Sequence, residues 1–307
     1  MDISVNSVSK SLCTGCEACS NVCPTDSICM RPDNEGFLYP EVDTSKCVLC
    51  GICLEVCPVY HKSVQKNIAI ESYAARANLN NVREFSSSGG VFYYLAKSII
   101  EKDGVVYGAI SNRDMQIEHI AIDRMENVRL ACGSKYVQSM IGSTYKSAKE
   151  HLESGRQVLF SGTPCQIAGL NNYLGRCYAN LLSVDVICHG VPSPLIYKMY
   201  LANLEKQFSS KAVGINFRSK QYGWKNYSLR IEFRNGDIYL KPINHDMYLK
   251  GFVRDLYNRP SCHNCMYKGI NSGSDIKLGD FWNVHKSIPY IDDDKGVSAI
   301  IICTKKG

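Results

Sequence analysis

The sequence lacks three features that would restrict the class of function. No apolar run is long enough to span a bilayer. The first residues, MDISVNSVSKSLC, lack the apolar segment of a secretory signal. Lys and Arg are scattered without a basic run, so the formal net charge of +6 does not indicate nucleic-acid binding. These absences predict a cytoplasmic protein with no membrane span and no nucleic-acid partner.

Cysteine, in contrast, is abundant, with 16 residues in a chain of 307. Without a secretory signal, so many thiols are typical of metal binding in a reducing compartment. Eight of them form two runs of identical spacing, C-x-x-C-x-x-C-x-x-x-C-P. The runs begin at Cys13 and Cys47 and end at Pro24 and Pro58. This spacing is that of the bacterial two-cluster ferredoxins.

The fourth cysteine of each run serves the cluster of the other run. The sequence therefore predicts one 4Fe–4S cluster on Cys13, Cys16, Cys19 and Cys57, and another on Cys47, Cys50, Cys53 and Cys23. Zinc sites normally use paired C-x-x-C units, and disulfides fit poorly with cysteines at i, i+3 and i+6. Residues 1–65 are accordingly predicted to form a ferredoxin-like domain that contains two short strands. The polar segment 61–67 is predicted to be a linker.

The next part of the chain, 66–145, contains a candidate anion site. Apolar positions predict a helix over 91–100. The residues before that helix are Ser87, Ser88, Gly89 and Gly90. Small side chains and free N–H groups at a helix start favour a nucleotide phosphate, and a Ser N-cap with a flexible entry is the alternative. The polar segment 131–139 is predicted to be a ligand loop or a helix–loop joint.

From residue 146 to 307 helices and strands alternate, which predicts a parallel βαβ unit. Cys165 and Cys188 follow two of its strands, and adjacent parallel strands bring their carboxyl ends together. Cys262 and Cys265 form a C-x-x-C pair after a helix predicted over 247–258. These four cysteines are predicted to hold a third metal site. The residues alone leave a 4Fe–4S cluster and zinc as alternatives.

The remaining cysteines and the end of the chain receive simpler interpretations. Cys29 lies outside both runs and is predicted to be a small buried residue. Cys132, Cys177 and Cys303 are likewise predicted to be buried thiols. The chain ends in a strand and a basic tail, and we expect the native protein to continue beyond Gly307.

Several of these motifs together resemble the beta subunit of coenzyme F420 hydrogenase and dehydrogenase. That family also includes ferredoxin-dependent reductases of chlorophyll pigments. The resemblance is carried by Ser87–Gly90, Gly133–Tyr136, Gly162-Thr163-Pro164-Cys165-Gln166, Cys188-His189-Gly190, Cys262-x-x-Cys265 and Asp275-Ile276-x-x-Gly279-Asp280. Two full ferredoxin runs are a departure, because subunits of this family often have fewer clusters of that kind.

The resemblance implies an α+β protein, in which the small ferredoxin domain precedes a mixed α/β flavoprotein domain with a non-Rossmann fold. Residues 66–145 and 146–307 would be the two parts of that second domain. FAD is implied near Ser87, Ser88, Gly89, Gly90, Gly133, Ser134, Lys135 and Tyr136. The resemblance also favours a 4Fe–4S cluster over zinc on Cys165, Cys188, Cys262 and Cys265.

These implications predict an iron–sulfur flavin-dependent oxidoreductase. A ferredoxin or another redox protein would exchange electrons with the clusters and FAD, and a small molecule such as coenzyme F420 would be the two-electron acceptor. Lys135 and His189 are candidates for proton delivery, although Lys135 could only contact the flavin phosphate and His189 could be structural. The alternatives are a non-catalytic electron-transfer subunit and a zinc-bearing scaffold with a ferredoxin module.

Overall fold

The computed structural model of the chain describes residues 4–61 and 71–307. The predicted domain boundary at 65, and the predicted linker apart from its first residue, lie outside the described residues. No helix in the two described ranges is long and apolar enough to cross a membrane.

The strands of the described residues form three sheets. In chain order they are β1 (Ile28–Pro32), β2 (Leu38–Val42), β3 (Glu71–Ala75), β4 (Val105–Ser111), β5 (Ile117–Ile122), β6 (Val158–Gly162), β7 (Leu181–Val186), β8 (Ala212–Ser219), β9 (Ser228–Phe233), β10 (Ile238–Pro242), β11 (Ile276–Asp280) and β12 (Ser298–Ile302). β1 pairs with β2, β8 to β10 form the second sheet, and the other strands form the central sheet.

The helices range from single turns to the four turns of α8. They are α1 (Ala18–Val22), α2 (Ile52–Glu55), α3 (Asn80–Phe85), α4 (Val91–Ile100), α5 (Met125–Ala131), α6 (Thr144–Glu153), α7 (Pro164–Leu174), α8 (Pro194–Gln207), α9 (Met247–Val253), α10 (Pro260–His263) and α11 (Val284–Ser287). The predicted helix over 91–100 and the predicted hairpin between the cysteine runs are confirmed.

The central sheet positions the site. Its order is β3-β12-β11-β7-β6-β4-β5, in which β4, β6, β7 and β11 are parallel neighbours and the outer strands pair antiparallel. Alternate residues of β6 bury opposite faces, because side chains on a strand have a period of two. Phe160 packs with Tyr145 and Ile167 of α6 and α7, whereas Leu159 packs with Ala96 of α4. The predicted mixed α/β architecture is confirmed.

The helix predicted over 247–258 is shorter than expected, because α9 ends at Val253. Asp255 has a left-handed φ of 57°, and the Leu256 N–H donates back to the Gly251 carbonyl at 3.0 Å. The chain then turns so that the Arg259 N–H reaches the Val191 carbonyl at 2.8 Å. This early end, which helical periodicity does not reveal, brings α10 and its cysteine pair against the loop after β7.

Two of the four cysteines predicted to be buried are not. Cys132 and Cys303 are buried, but Cys29 and Cys177 are exposed. Cys29 follows the buried Ile28 on β1 and therefore faces outward, since successive strand residues point to opposite sides. Cys177 follows Gly175, the C-cap of α7, in a connection to β7. Both predictions of burial were wrong.

Candidate functional site

The structure gathers twelve cysteines into three sets of four. The inner set contains Cys13, Cys16, Cys19 and Cys57. The outer set contains Cys23, Cys47, Cys50 and Cys53. The third set contains Cys165, Cys188, Cys262 and Cys265. These are the groupings predicted from the sequence, and the described residues bring the members of each set together as follows.

The inner set joins three thiols of the first run to the last thiol of the second. Burial raises the pKa of the Cys19 thiol well above its ordinary value, and the nearby Cys16, Cys13 and Cys57 raise it further. Burial likewise raises the pKa of Cys57, and the nearby Cys13 raises it further. Cys16 and Cys19 are buried, and Cys13 and Cys57 are partly buried. Four thiols in mutual electrostatic range are a donor set that fits a 4Fe–4S cluster.

The outer set lines one small cavity of about 20 Å³ near the protein surface. Cys50 is exposed. Burial is the largest single influence on the Cys23 thiol and raises its pKa, but the hydrogen bonds from Ser27 and Thr25 together outweigh it and lower that pKa to about 7. One of these bonds runs from the Ser27 N–H to Cys23 Sγ at 3.3 Å. This donor set also fits a 4Fe–4S cluster, at a more accessible position than the inner set.

The third set comes from the segments that follow the parallel strands β6 and β7 and from the segment that contains α10. β6 and β7 pair in register up to Gly162 and Asp185, so the loops that follow them are adjacent. Burial raises the pKa of Cys188 well above its ordinary value, and Cys165, Cys262 and Cys265 raise it further. The Val191 N–H donates to Cys262 Sγ at 3.4 Å. In the described residues no group of three or more metal-binding side chains is arranged to hold a single metal ion.

The three sets lie in a row with the inner set in the middle. Cys53 of the outer set is close enough to Cys19 to raise its pKa, and Cys165 of the third set is close enough to raise that of Cys16. Gly169 on α7 makes the second approach possible, because a Cβ there would lie 3.0 Å from Cys16 Sγ. The folded chain therefore places the ferredoxin-like part directly against the end of the central sheet.

Gly15 provides a test of this docking. Its φ is +65°, and a Cβ at this position would lie 2.6 Å from Gln138 Nε2 and 2.7 Å from Arg259 Nη1. We expect Gly15→Ala to destabilise the protein by about 2–4 kcal/mol through left-handed strain and this collision. Gly51→Ala is the matched control, because its φ is +74° but nothing lies within 4 Å. Thermal unfolding should show a clearly lower midpoint for Gly15→Ala, and equal midpoints would contradict the close contact.

A cavity of about 880 Å³ lies at the end of the row. Its wall includes Ser87, Ser88 and Gly90 before α4, the whole segment Gly133–Tyr136, and Cys165 and Cys188 of the third set. Gly89 lies behind the wall, where its N–H donates to Ser298 Oγ at 3.0 Å. The volume is within the range of about 300–1,000 Å³ that ligand and cofactor pockets have.

The two predicted flavin segments meet each other in this wall. The Ser134 N–H donates to Ser87 Oγ. Gly90, with a φ of 89°, is the N-cap of α4, and among the described residues no side chain supplies a capping hydrogen bond there. The alternative of a Ser N-cap was therefore wrong.

Segment 131–139 is a helix–loop joint, because α5 ends at Ala131. The open end of a ten-residue helix and the adjoining loops fit a phosphate-bearing cofactor.

Lys135 and His189 both line the cavity and both have local partners. Lys135 Nζ donates to the Leu130 and Cys132 carbonyls, at 2.8 and 2.9 Å, at the end of α5. Burial lowers the pKa of Lys135 to about 8. His189 Nε2 lies 3.1 Å from the Phe252 carbonyl and 3.0 Å from Asp255 Oδ1. Acceptors in the described part of the chain thus take two of the three Lys135 N–H groups and leave one for a ligand.

Sequence reasoning missed an arginine in the cavity wall. Arg218 on β8 is only 2% exposed, and its Nη1 bonds Asp280 at 2.9 Å and the Tyr136 hydroxyl at 3.1 Å. Its guanidinium stacks 4.0 Å from the Tyr227 ring centroid and 4.7 Å from that of Trp282. Asp280 belongs to one of the motifs found in the sequence. No motif near Arg218 on β8 indicated a role for this arginine. Only the fold brings these residues together.

A second missed residue is His119, which is buried in the wall beside the third set. Its Nε2 lies 2.9 Å from the Ser161 carbonyl, and its ring stacks on Phe160 with centroids 5.6 Å apart. Burial lowers the pKa of His119 to about 4. The imidazole is therefore neutral near pH 7 and bonds the end of β6, which is a structural role.

Family models match two parts of this chain. The model that describes the C terminus of the coenzyme F420 hydrogenase/dehydrogenase beta subunit matches residues 155–307. The model of a 4Fe–4S dicluster domain matches residues 12–60. The first match includes all four cysteines of the third set, and the second includes all eight of the inner and outer sets.

Individual proteins agree with these matches. The chain is 27% identical to the coenzyme F420-dependent sulfite reductase of Methanocaldococcus jannaschii, over 64% of this chain and 31% of that protein. It is 40% identical to NADH-quinone oxidoreductase subunit I 2 of Geobacter metallireducens, over 17% of this chain and 43% of that protein. Overall, the chain spans between 31% and 52% of the curated relatives that it matches.

A solved structure shares the fold. A chain of the F420-reducing [NiFe] hydrogenase complex from Methanosarcina barkeri superposes with a TM-score of 0.51 at 17% identity, over 80% of this chain and 79% of that one. The family matches, the sulfite reductase relative and this common fold agree with the motifs found in the sequence. The chain belongs to the coenzyme F420 hydrogenase/dehydrogenase beta-subunit family and carries a 4Fe–4S dicluster domain in its N-terminal part.

Proposed function

We propose that this protein is an iron–sulfur flavoprotein oxidoreductase that exchanges electrons between a redox protein and a two-electron acceptor. The observation that carries the proposal is the position of the cavity. Its wall contains both the predicted flavin segments and Cys165 and Cys188 of the third set. Family membership supports the same class of reaction, because the family consists of hydrogenase and dehydrogenase subunits.

The residues that would hold each group are those already described. The inner, outer and third sets would each hold one 4Fe–4S cluster, and the cavity would hold FAD with its phosphates at Ser87, Ser88, Gly90, Gly133 and Ser134. When bound, each cluster carries one electron and the flavin carries two, so the protein can convert between single electrons and pairs. Gly89 supports this wall from behind.

The chain's own residues would orient the ligand and exclude water. Tyr136 is held by the Arg218 guanidinium through its hydroxyl and by Tyr248, whose hydroxyl donates to the Tyr136 carbonyl at 2.5 Å. Arg218 is in turn fixed by Asp280. These contacts make one side of the cavity rigid, as a site that must position a reacting ring requires.

Entry of single electrons would occur at the outer set. Cys50 is exposed, and the neighbouring Val48 and Leu49 are 63% and 64% exposed. A ferredoxin or another redox protein would dock there. The two-electron acceptor would meet the flavin at the cavity, and coenzyme F420 is a candidate because a relative of this chain is named as an F420-dependent sulfite reductase.

Lys135 gives a pH prediction for this site. If its free N–H delivers a proton to the acceptor, turnover should fall as pH rises through about 8, because the ammonium form is lost there. Lys135→Arg should keep the contacts to the end of α5 but lower turnover across the whole pH range, because arginine stays charged and does not release a proton. A turnover profile measured from pH 6 to 10 that is unchanged by Lys135→Arg would remove Lys135 from proton delivery. His189 would then be the remaining candidate.

Composition of the anaerobically purified protein tests the proposal. We expect about twelve irons and about one FAD per chain, with no zinc. About eight irons, one zinc and no flavin would instead favour a ferredoxin module on a zinc-bearing scaffold. Twelve irons and one FAD in a chain that turns over only when a partner protein is added would favour a non-catalytic electron-transfer subunit.

A further inference from the structure

Arg259 lies where the ferredoxin-like part meets the third set. It precedes α10 and is 1% exposed. Its Nε donates to the Cys13 carbonyl at 2.8 Å, its Nη1 to Gln138 Oε1 at 2.9 Å and its Nη2 to the Leu38 carbonyl at 2.9 Å. The Nη2 also lies 3.8 Å from Cys13 Sγ. A single guanidinium therefore joins three segments that are far apart in the sequence.

The surroundings of Arg259 supply polar acceptors but no opposite charge. Among residues 4–61 and 71–307, no carboxylate forms an ion pair with it. Its flat faces pack instead on aromatic rings, with the Tyr39 centroid 4.1 Å and the Phe37 centroid 5.5 Å away. A buried cation without a counter-ion is costly. The other buried guanidinium groups, of Arg83 and Arg218, are paired with carboxylates.

The thiols of two cysteine sets lie around this charge. Cys13 of the inner set is in contact with it. Burial raises the pKa of the Cys165 thiol to about 11, and Arg259 is one of the groups that lower it. Arg259 acts in the same direction on Cys262, whose pKa burial also raises. A cluster with four thiolates carries about −2 in its oxidised form, so the missing negative charge would come from the clusters themselves.

The chain also makes room for this arginine. Gly15, two residues after Cys13, has no side chain, and a Cβ there would lie 2.7 Å from Arg259 Nη1. Gln138 holds the same nitrogen from the side of the cavity. The inner cysteine loop, the cavity wall and α10 are thus all shaped around one positive charge.

We propose that Arg259 is a positioning residue that raises the reduction potential of the inner cluster. This inference rests on the proposed function, since it requires the clusters to be present. Reduction adds one negative charge to a cluster, and a fixed cation in a low-dielectric setting favours that charge. An N–H directed at a ligand sulfur acts in the same direction. A higher inner potential would favour the inward transfer of single electrons that enter at the outer set.

Potentiometric titration of the loaded protein, followed by electron paramagnetic resonance, tests this role. In Arg259→Met the inner potential should fall by about 59 mV, a tenfold change in the one-electron reduction equilibrium. The outer potential, identified through Cys50→Ser, should move least. Arg259→Lys should lie closer to the wild type, because it retains the charge. Arg83→Met is the matched control, because it removes a buried guanidinium that pairs with Asp293, and it should leave the inner potential unchanged.

Gln138→Glu keeps the test decisive if Arg259→Met does not fold. This nearly isosteric change places a carboxylate at Nη1 and neutralises the arginine without removing it, so the inner potential should again fall. Unchanged inner potentials in both Arg259→Met and Gln138→Glu, or equal shifts of all clusters, would overturn the proposal. Iron and FAD analysis of the same samples reports separately on the proposed function, so failure of the two ideas can be told apart.

Discussion

Replacing both Cys262 and Cys265 with alanine should stop electron transfer from the ferredoxin part to the flavin. The third set loses two of its four thiols, so iron should fall from about twelve to about eight per chain. FAD should stay near one per chain, because in the described part of the chain the cavity wall contains Cys165 and Cys188 rather than Cys262 or Cys265. Reduction of the flavin by a reduced ferredoxin should then fall to the background rate.

The control for this double variant removes two other thiols. Cys29 and Cys177 are exposed and belong to none of the three sets. Cys29→Ala with Cys177→Ala should keep about twelve irons and wild-type flavin reduction. Stopped-flow spectroscopy of the flavin, with iron analysis of the same samples, makes the comparison. Flavin reduction at the wild-type rate in the Cys262/Cys265 variant would contradict a route through the third set.

A tryptophan in place of Ser134 should remove the flavin and leave the iron. Ser134 lines the cavity, and its N–H bonds Ser87 Oγ across the two predicted flavin segments. An indole at this position would occupy space that FAD needs, so FAD content should fall from about one to near zero per chain. The cysteine sets should still hold about twelve irons, because their loops do not depend on the Ser134 side chain.

The control for this change is the same substitution at an exposed serine. Ser154 follows α6, and its hydroxyl donates to the His151 carbonyl in the neighbouring turn. Ser154→Trp should retain about one FAD per chain. Absorbance of the flavin extracted from each variant measures its FAD content per chain. Full flavin occupancy in Ser134→Trp would show that FAD binds elsewhere.

The features predicted correctly from the sequence depend on local spacing. The two cysteine runs are local ligand patterns, and the apolar stripe of 91–100 is a local periodicity that became α4. The third set was predictable for a topological reason, since neighbouring parallel strands place Cys165 and Cys188 at the same end of the sheet. Its cluster stays a proposal until metal is measured.

The errors and omissions arise where one residue's setting depends on distant parts of the chain. Cys29 was predicted to be buried because strand periodicity alone does not say which face of β1 meets the core. The helix over 247–258 was too long because periodicity does not reveal the left-handed Asp255. Arg259 was missed because its contact to Cys13 spans 246 residues. No local pattern distinguishes such an arginine from one on the surface.

The claim that the chain holds three clusters and a flavin is tested most directly by counting electrons. Anaerobic titration of the purified protein with a strong photochemical reductant should consume about five electrons per chain, one for each cluster and two for FAD. Absorbance of the flavin and of the clusters follows the titration. Uptake of about two electrons per chain, without bleaching of a flavin, would leave only the two ferredoxin clusters and would contradict the account.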